Sequence, residues 1–276
     1  AEHQDRLIGL RAFLRWRLQA GDRALAAVRA VDTATHPEFQ GMGIFSRLTK
    51  AALEAMDGQV DLVFNTPNGK SGPGYLKLGW REVGKVPVAV RARRPLRLLL
   101  SGRARSRPAP PVTAAPAAEA LADEAALAAM LEREPAARGL ATPRTLAYLR
   151  WRYGAAPLLG YRAATEERDG ELAGLAVFRV RPRGRLWEST VAEVLAGGDP
   201  ATARRLLRRV AKAAPVDHLT LHAPAGTPLA AAARRAGYLP SPAGILLVAN
   251  PRTAGLELDP TRLDAWALSL GDLEVF

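Results

Sequence analysis

At 276 residues the chain has room for about two domains at the usual ~100–200 residues each, and its apolar share of 48% is ordinary for a globular protein. Cysteine is absent, which excludes disulfides and thiol chemistry and makes a cytoplasmic location the expectation. No stretch reaches the ~18–20 apolar residues of a membrane span, and no secretory signal is read. The net charge of +12 admits a polyanionic partner, either nucleic acid or a phosphate-bearing cofactor, and equally an arginine-rich composition. The basic residues are spread along the chain except in VRARRPLRLLLSGRARSRP at 90–108. No aromatic residue interleaves with that run, which argues against single-stranded nucleic acid.

The predicted elements run as follows. Arg6–Leu18 is strand-like, and QAGDR turns it back into a second strand at Ala24–Thr35. A helix is expected over Gly41–Met56, because Ile44, Phe45, Leu48, Ala52 and Met56 recur at three- and four-residue spacing. A short buried strand at Val60–Phe64, the irregular TPNGKSGPG, a short helix at Tyr75–Leu78 and a strand at Trp80–Ala92 follow. SGRARSRPAPPVTAAPAAE reads as linker. Beyond it, Leu121–Arg133 and Thr142–Tyr153 are helical, and strands are expected near Leu158–Ala164, Glu171–Val180 and Leu186–Leu195. A helix at Ala201–Ala214, a strand at Asp217–His222, a helix at Pro228–Ala236 and a final strand and tail complete the chain.

The two halves echo one another. ERDGELAGLAVF (167–178) resembles EHQDRLIGLRAF (2–13), with Gly174 opposite Gly9. VDHLTLHAP echoes VDLVFNTP, and AGY at 236–238 echoes LGW at 78–80. The same order at similar spacing predicts two copies of one fold. The chain starts at Ala1, and its opening residues read as if they begin in mid-sheet, so further residues are expected before it.

Glycine costs a helix roughly 1 kcal/mol relative to alanine, so Gly41 and Gly43 at a helix mouth need a reason. One reason is tight packing. The other is chemical: the N–H groups of Gly41, Met42, Gly43, Ile44 and Phe45 point forward without intrahelical acceptors, the helix dipole adds positive potential, and glycine lets phosphate oxygens approach. The turn has neither the Walker lysine–serine pair nor G-x-G-x-x-G spacing.

The order strand, Q-x-x-G-x, helix, strand, N-x-x-S-x-x-x-Y-x-x-x-G-W resembles the GNAT acyltransferase superfamily over residues 1–92. The resemblance implies an α+β fold of tandem GNAT-like domains, each a mostly antiparallel twisted sheet flanked by helices, the first one truncated at its N-terminus. The domains would be 1–100, a linker at 101–110, and a degenerate second copy at 111–276. It implies that the pyrophosphate of acetyl-coenzyme A sits on FQGMGIF, where Gln40, Gly43 and Ile44 fit the turn pattern and Phe45 replaces a small residue. Thr33, Ala34 and Thr35, in DTATHP, would pair with the pantetheine arm. Asn68 and Tyr75 would lie near the thioester, and Ser71 would be among the residues that bind the coenzyme. In the second half GGDPATARRLL stands where the phosphate turn should be. There Asp199 puts a carboxylate beside any phosphate and Pro200 removes a donor.

The implied function is N-acetylation of a primary amine on a small acceptor by direct attack on the thioester. Tyr75, with a solution pKa of about 10, suits protonation of the leaving thiolate, or it is a helix residue packed beside Trp80. Asp32 is the acidic residue on its strand nearest the expected thioester; it could serve as base, or pair with Arg11 or Arg29, or water could be the base. No metal site is expected. The alternative is a Fem-type aminoacyl or peptidyl transferase, or a non-catalytic nucleic-acid-associated module. Acceptor and oligomeric state are not encoded in any readable motif.

Overall fold

A computed structural model describes residues 1–156 and 158–273; the end of the expected tail, residues 274–276, lies outside them. The chain opens with a small hairpin, β1 (Glu2–His3) and β2 (Arg6–Leu7), turned by Gln4 and Asp5 at φ +50° and +58°. The strand expected from Arg6 therefore begins later, as β3 (Gly9–Ala20), and pairs antiparallel with β4 (Arg23–Thr35). Helix α1 covers Ile44–Ala55. The expectation that it starts at Gly41 is corrected: Gly41 and Gly43 lie at φ +79° and +72°, outside the helical region. Then come β5 (Leu62–Asn65), α2 (Gly72–Lys77) and β6 (Arg81–Ala92).

A short α3 (Pro95–Leu99) follows, and α4 (Ala117–Ala120) precedes α5 (Glu124–Glu132), which Asp123 caps by accepting from the Ala126 N–H. The helix expected over 142–153 is divided into α6 (Leu146–Leu149) and a wide turn at Arg150–Gly154. Strand β7 (Arg162–Arg168) starts later than expected, because Leu158 and Gly160 hold left-handed backbone at φ +66° and +54°. It is followed by β8 (Glu171–Arg183), β9 (Leu186–Leu195), α7 (Pro200–Ala213), β10 (His218–Leu221), α8 (Pro228–Arg235), β11 (Leu239–Pro251) and α9 (Leu270–Leu273).

These elements form two compact units. The first comprises Ala1–Val86, Ala137–Pro143 and Ile245–Ala267; the second comprises Pro87–Ala136, Arg144–Gly244 and the segment from Leu268. Both are α+β, with mostly antiparallel sheets flanked by helices. In the first unit β3 pairs antiparallel with β4, β4 parallel with β5, and β5 antiparallel with the end of β11. Its core gathers Val28, Leu53, Val63, Tyr75, Trp80 and Val248. In the second unit β7, β8 and β9 are antiparallel neighbours, β9 is parallel to β10, and β10 is antiparallel to the end of β6. One core there lies under α7 and α8 around Leu206, Leu207, Val210 and Leu219, and another lies under α4–α6 around Leu127, Leu149 and Leu175.

The units share local devices. A Cβ on Gly9 would stand 2.6 Å from Ile44 Cγ2 and 3.3 Å from Leu48 Cδ1; one on Gly174 would stand 2.8 Å from Thr202 Cγ2 and 3.0 Å from Leu206 Cδ1. In each unit a helix presents residues four apart to a strand glycine, because only glycine admits so close an approach. Gly79 and Gly237, at φ +95° and +85°, end α2 and α8 alike. The following N–H groups of Trp80 and Tyr238 return to the carbonyls of Tyr75 and Ala233 at 3.2 and 3.0 Å.

Candidate functional site

The sequence joining β4 to α1 builds a helix N-terminus with no side-chain cap. Residues 37–39 form one tight turn, and Gln40 Nε2 donates to the Thr35 carbonyl at 3.4 Å, tying the strand end to the loop. At Gly41 and Gly43 an added Cβ would meet nothing within 4 Å. Glycine is needed here for the left-handed backbone, not for packing, and the space beside it is free. The Arg47 N–H bonds to the Gly43 carbonyl at 3.0 Å, so the N–H groups of Ile44, Phe45 and Ser46 precede the first intrahelical bond. No side chain caps them, and the first turn carries no acidic residue. By contrast Asp123, Asp199 and Thr227 cap α5, α7 and α8.

An open cleft of about 560 Å³ faces this end. Of the residues singled out in the sequence, Thr33, Thr35, Gln40, Gly41, Gly43, Ile44, Phe45, Asn68 and Ser71 line it. Ala34, Met42, Asp32 and Tyr75 are not among its lining residues; Phe39, Lys70 and Gly74 are, and sequence reasoning missed them. Lys70 was within reach, since it sits in the same NGKSG loop. Asn68 Oδ1 accepts from the N–H groups of Lys70 and Ser71 at 2.9 and 3.0 Å, an Asx turn that shapes that loop.

The wall formed by β4 has one open edge. Strand β4 pairs with β5 over Ala27–Arg29 and then runs on to Thr35, while its other edge is held by β3 through Arg11↔Thr33, Leu10↔Ala34 and Gly9↔Thr35. Between Arg11↔Thr33 and Ala12↔Val31 the register skips one residue, and that residue is Asp32, at φ +31°. The bulge thus falls on the candidate base and leaves it exposed. The two arginines considered as its partners are engaged elsewhere. The Arg29 guanidinium lies 5.4 Å from the Trp16 ring and 5.3 Å from that of Phe64. Arg11 Nη1 donates to the Tyr75 hydroxyl at 2.7 Å.

Tyr75 is 3% exposed, with its ring edge-on to Phe45 at 5.4 Å and to Trp80 at 5.1 Å. Phe45 in turn lies over Gly74, where an added Cβ would stand 2.9 Å from Phe45 Cε1. A bulky residue at 45 is accommodated by a missing side chain at 74. The Phe45 ring leans on α2, and its backbone N–H still belongs to the uncapped first turn of α1.

The second unit has a smaller cleft of about 420 Å³ at the corresponding turn, lined by Arg168, Gly197, Asp199 and Thr202 among others. There the donors are taken. Asp199 accepts from the N–H groups of Ala201 and Thr202 at 2.9 and 3.1 Å and from Arg168 Nη2 at 2.9 Å. Hydrogen bonds from the Thr202 hydroxyl and the Ala201 N–H hold its carboxyl below the usual range. Gly197 N–H donates to Glu134 Oε1 at 2.6 Å. Burial pushes the Glu134 carboxyl up despite the N–H bonds from Gly197 and Ala196. Among the described residues no cluster of three His, Asp or Glu could hold a metal ion.

Residues 1–83 match the family model described as an acetyltransferase (GNAT) domain. No curated protein matches the sequence. Among solved structures, a GCN5-related N-acetyltransferase from Anabaena variabilis superposes with a TM-score of 0.59 at 11% identity, covering 91% of this chain and 61% of that one. One from Kribbella flavida gives 0.57 at 15% identity, covering 91% and 59%. Eis1 from Mycobacterium abscessus gives 0.54 at 17% identity, covering 91% and 63%. These likenesses show the fold, and the chain spans about three fifths of the length of the proteins it resembles.

Proposed function

From the match of residues 1–83 to a GNAT acetyltransferase domain, we propose that this chain is a GNAT-type, acetyl-coenzyme A-dependent N-acetyltransferase acting on a primary amine of a small acceptor. The observation that carries this reading is the uncapped, acid-free N-terminus of α1 behind Gly41 and Gly43, opening on a cleft. The residues fit a pyrophosphate: N–H donors from Ile44, Phe45 and Ser46 ahead of the first intrahelical bond, no carboxylate in the first turn, and Lys70 on the cleft wall. Gln40 and Gly41, with Met42 beside them, form the rest of the turn. The open edge of β4 at Thr33, Ala34 and Thr35 offers backbone groups to an extended amide-bearing arm. Asn68 and Ser71 also line the cleft.

The bound coenzyme supplies an activated acyl thioester. The amine nitrogen bonds to its carbonyl carbon and the carbon–sulfur bond breaks, leaving an amide and a thiolate that must gain a proton. Tyr75 is the proposed donor. Its oxygen accepts from Arg11, so its own proton is directed away from the guanidinium. Asp32, exposed at the bulge, is the proposed acceptor of the amine's proton, directly or through water.

We propose further that the second unit is a GNAT-like copy that has lost coenzyme binding. The shared devices at Gly9 and Gly174 and at Gly79 and Gly237 support this. So do the carboxylates of Asp199 and Glu134, which stand where phosphate oxygens would need to be. Thermal unfolding with acetyl-coenzyme A and, separately, with aminoacyl-tRNA tests the reading. Acetyl-coenzyme A at 100 times its Kd should stabilise the protein by about 2.7 kcal/mol. Stabilisation by aminoacyl-tRNA alone would instead favour a Fem-type transferase and overturn the proposal.

A further inference from the structure

In the second unit, α3 and the residue that ends it display three large aliphatic side chains within five residues: Leu96, Leu99 and Leu100 are 74%, 80% and 57% exposed. Single exposed leucines are commonplace, whereas a cluster marks a contact surface. The cluster is bordered by the exposed Arg93, Arg103 and Arg105, and residues 83–118 contain no aspartate or glutamate at all.

The surface is held in place from behind. Asp217, fully buried, accepts from Arg97 Nε at 2.8 Å and lies 3.6 Å from Arg94 Nη1, and its backbone carbonyl takes the N–H groups of Arg93 and Arg94 at 2.8 and 3.0 Å. Trp187 Nε1 donates to the Arg107 carbonyl at 3.0 Å, and Arg97 Nη2 donates to that of Arg105 at 3.0 Å. Arg94 and Arg97 are thus turned inward as anchors, and Arg107 Nη1 lies 4.0 Å from the same carboxylate, while the leucines and Arg93, Arg103 and Arg105 are exposed.

We propose that this surface docks the protein on an anionic lipid bilayer. A bilayer of this kind uses both halves of the feature: arginines meet headgroup phosphates, and leucines enter the acyl boundary. A nucleic acid would use the charge but gain nothing from the leucines, and no aromatic side chain is present among residues 91–107 to stack on bases. A second copy docked face to face would set arginines against arginines. The attachment is to the surface, since no helix among the described residues is long and apolar enough to cross a membrane.

Co-sedimentation with vesicles of phosphatidylcholine alone, or of phosphatidylcholine with phosphatidylglycerol, tests this. The full chain should pellet with the anionic vesicles only, and less so at high salt. Arg103→Gln and Arg105→Gln should each weaken partitioning roughly fivefold. The double variant Leu96→Ser, Leu99→Ser should weaken it at least about tenfold, with an unchanged melting temperature and unchanged binding of acetyl-coenzyme A. Equal binding to neutral vesicles, or leucine variants that bind anionic vesicles as well as the wild type, would overturn the proposal. So would tighter binding to a single-stranded oligonucleotide that the leucine variants retain, or self-association that they abolish.

Discussion

Gly43 is the residue on which the coenzyme reading can be tested most directly. Its φ of +72° suits asparagine and aspartate nearly as well as each other, since both tolerate left-handed backbone. Gly43→Asn and Gly43→Asp therefore differ mainly in charge. Calorimetry should show acetyl-coenzyme A binding weakened in Gly43→Asn and lost in Gly43→Asp, because a carboxylate there faces the phosphates. Equal affinity in the two folded variants would remove the pyrophosphate from this turn. Tyr75 and Asp32 need kinetics. Tyr75→Phe keeps the ring packing on Phe45 and Trp80 and deletes only the hydroxyl. It should lower kcat by roughly 10²–10⁴-fold with coenzyme affinity intact. Asp32→Asn should lower kcat/KM over a similar range and remove the acidic limb of the pH–rate profile. A normal profile would make Asp32 a bulge residue and nothing more.

At the scale of elements, α1 and α7 show what a cap decides. Helix α7 satisfies its own N-terminus through Asp199, and Asp199→Ala should cost about 1 kcal/mol of stability, read as a lower melting temperature with no gain of coenzyme binding. The strands carry a pH dependence. Glu188 on β9 sits opposite His218 on β10, with contacts of 3.0 Å from His218 Nε2, 2.7 Å from Thr190 Oγ1 and 3.1 Å from Arg181 Nη2. Burial works to raise its carboxyl, but the bonds from His218 and Thr190 and the charge of Arg181 outweigh it and lower it to about 2. The folded value lies below the unfolded one, so this contribution is present above the ordinary carboxylate range and is lost as pH falls toward 2. Relative to Glu188→Gln, the wild type should lose about 3 kcal/mol of stability across that window, measured by denaturant unfolding. The element order was largely legible in the sequence. Strand β9 came out at its expected limits, Leu186–Leu195, because a glycine turn bounds it on either side, at Gly184 and at Gly197–Gly198. The helix read over 142–153 did not, because periodicity cannot show that Arg152 turns inward to the Gly271 carbonyl at 3.2 and 3.1 Å.

For the whole molecule the reading predicts one coenzyme per chain. Titration should reach a stoichiometry of one, and Asp199→Asn should leave it there, because Glu134 still occupies the Gly197 N–H. Two equivalent sites would show that the second turn binds after all. The sequence by itself determined that a glycine-bearing turn follows β4, and the period of α1 and the alternation of the strands follow from residue type and spacing; that Gly41, Gly43 and Gly79 hold left-handed backbone came from the structure. The family resemblance grouped Gln40, Asn68 and Ser71 at one site, and the structure brings all three to the lining of one cleft. Only the tertiary structure decided that Arg11 meets Tyr75 across 64 residues, that Phe45 rests on Gly74, and that the bulge falls on Asp32. Such pairings depend on register and on which face of a helix meets which loop. These are set by the packing of distant segments, and no local pattern encodes them.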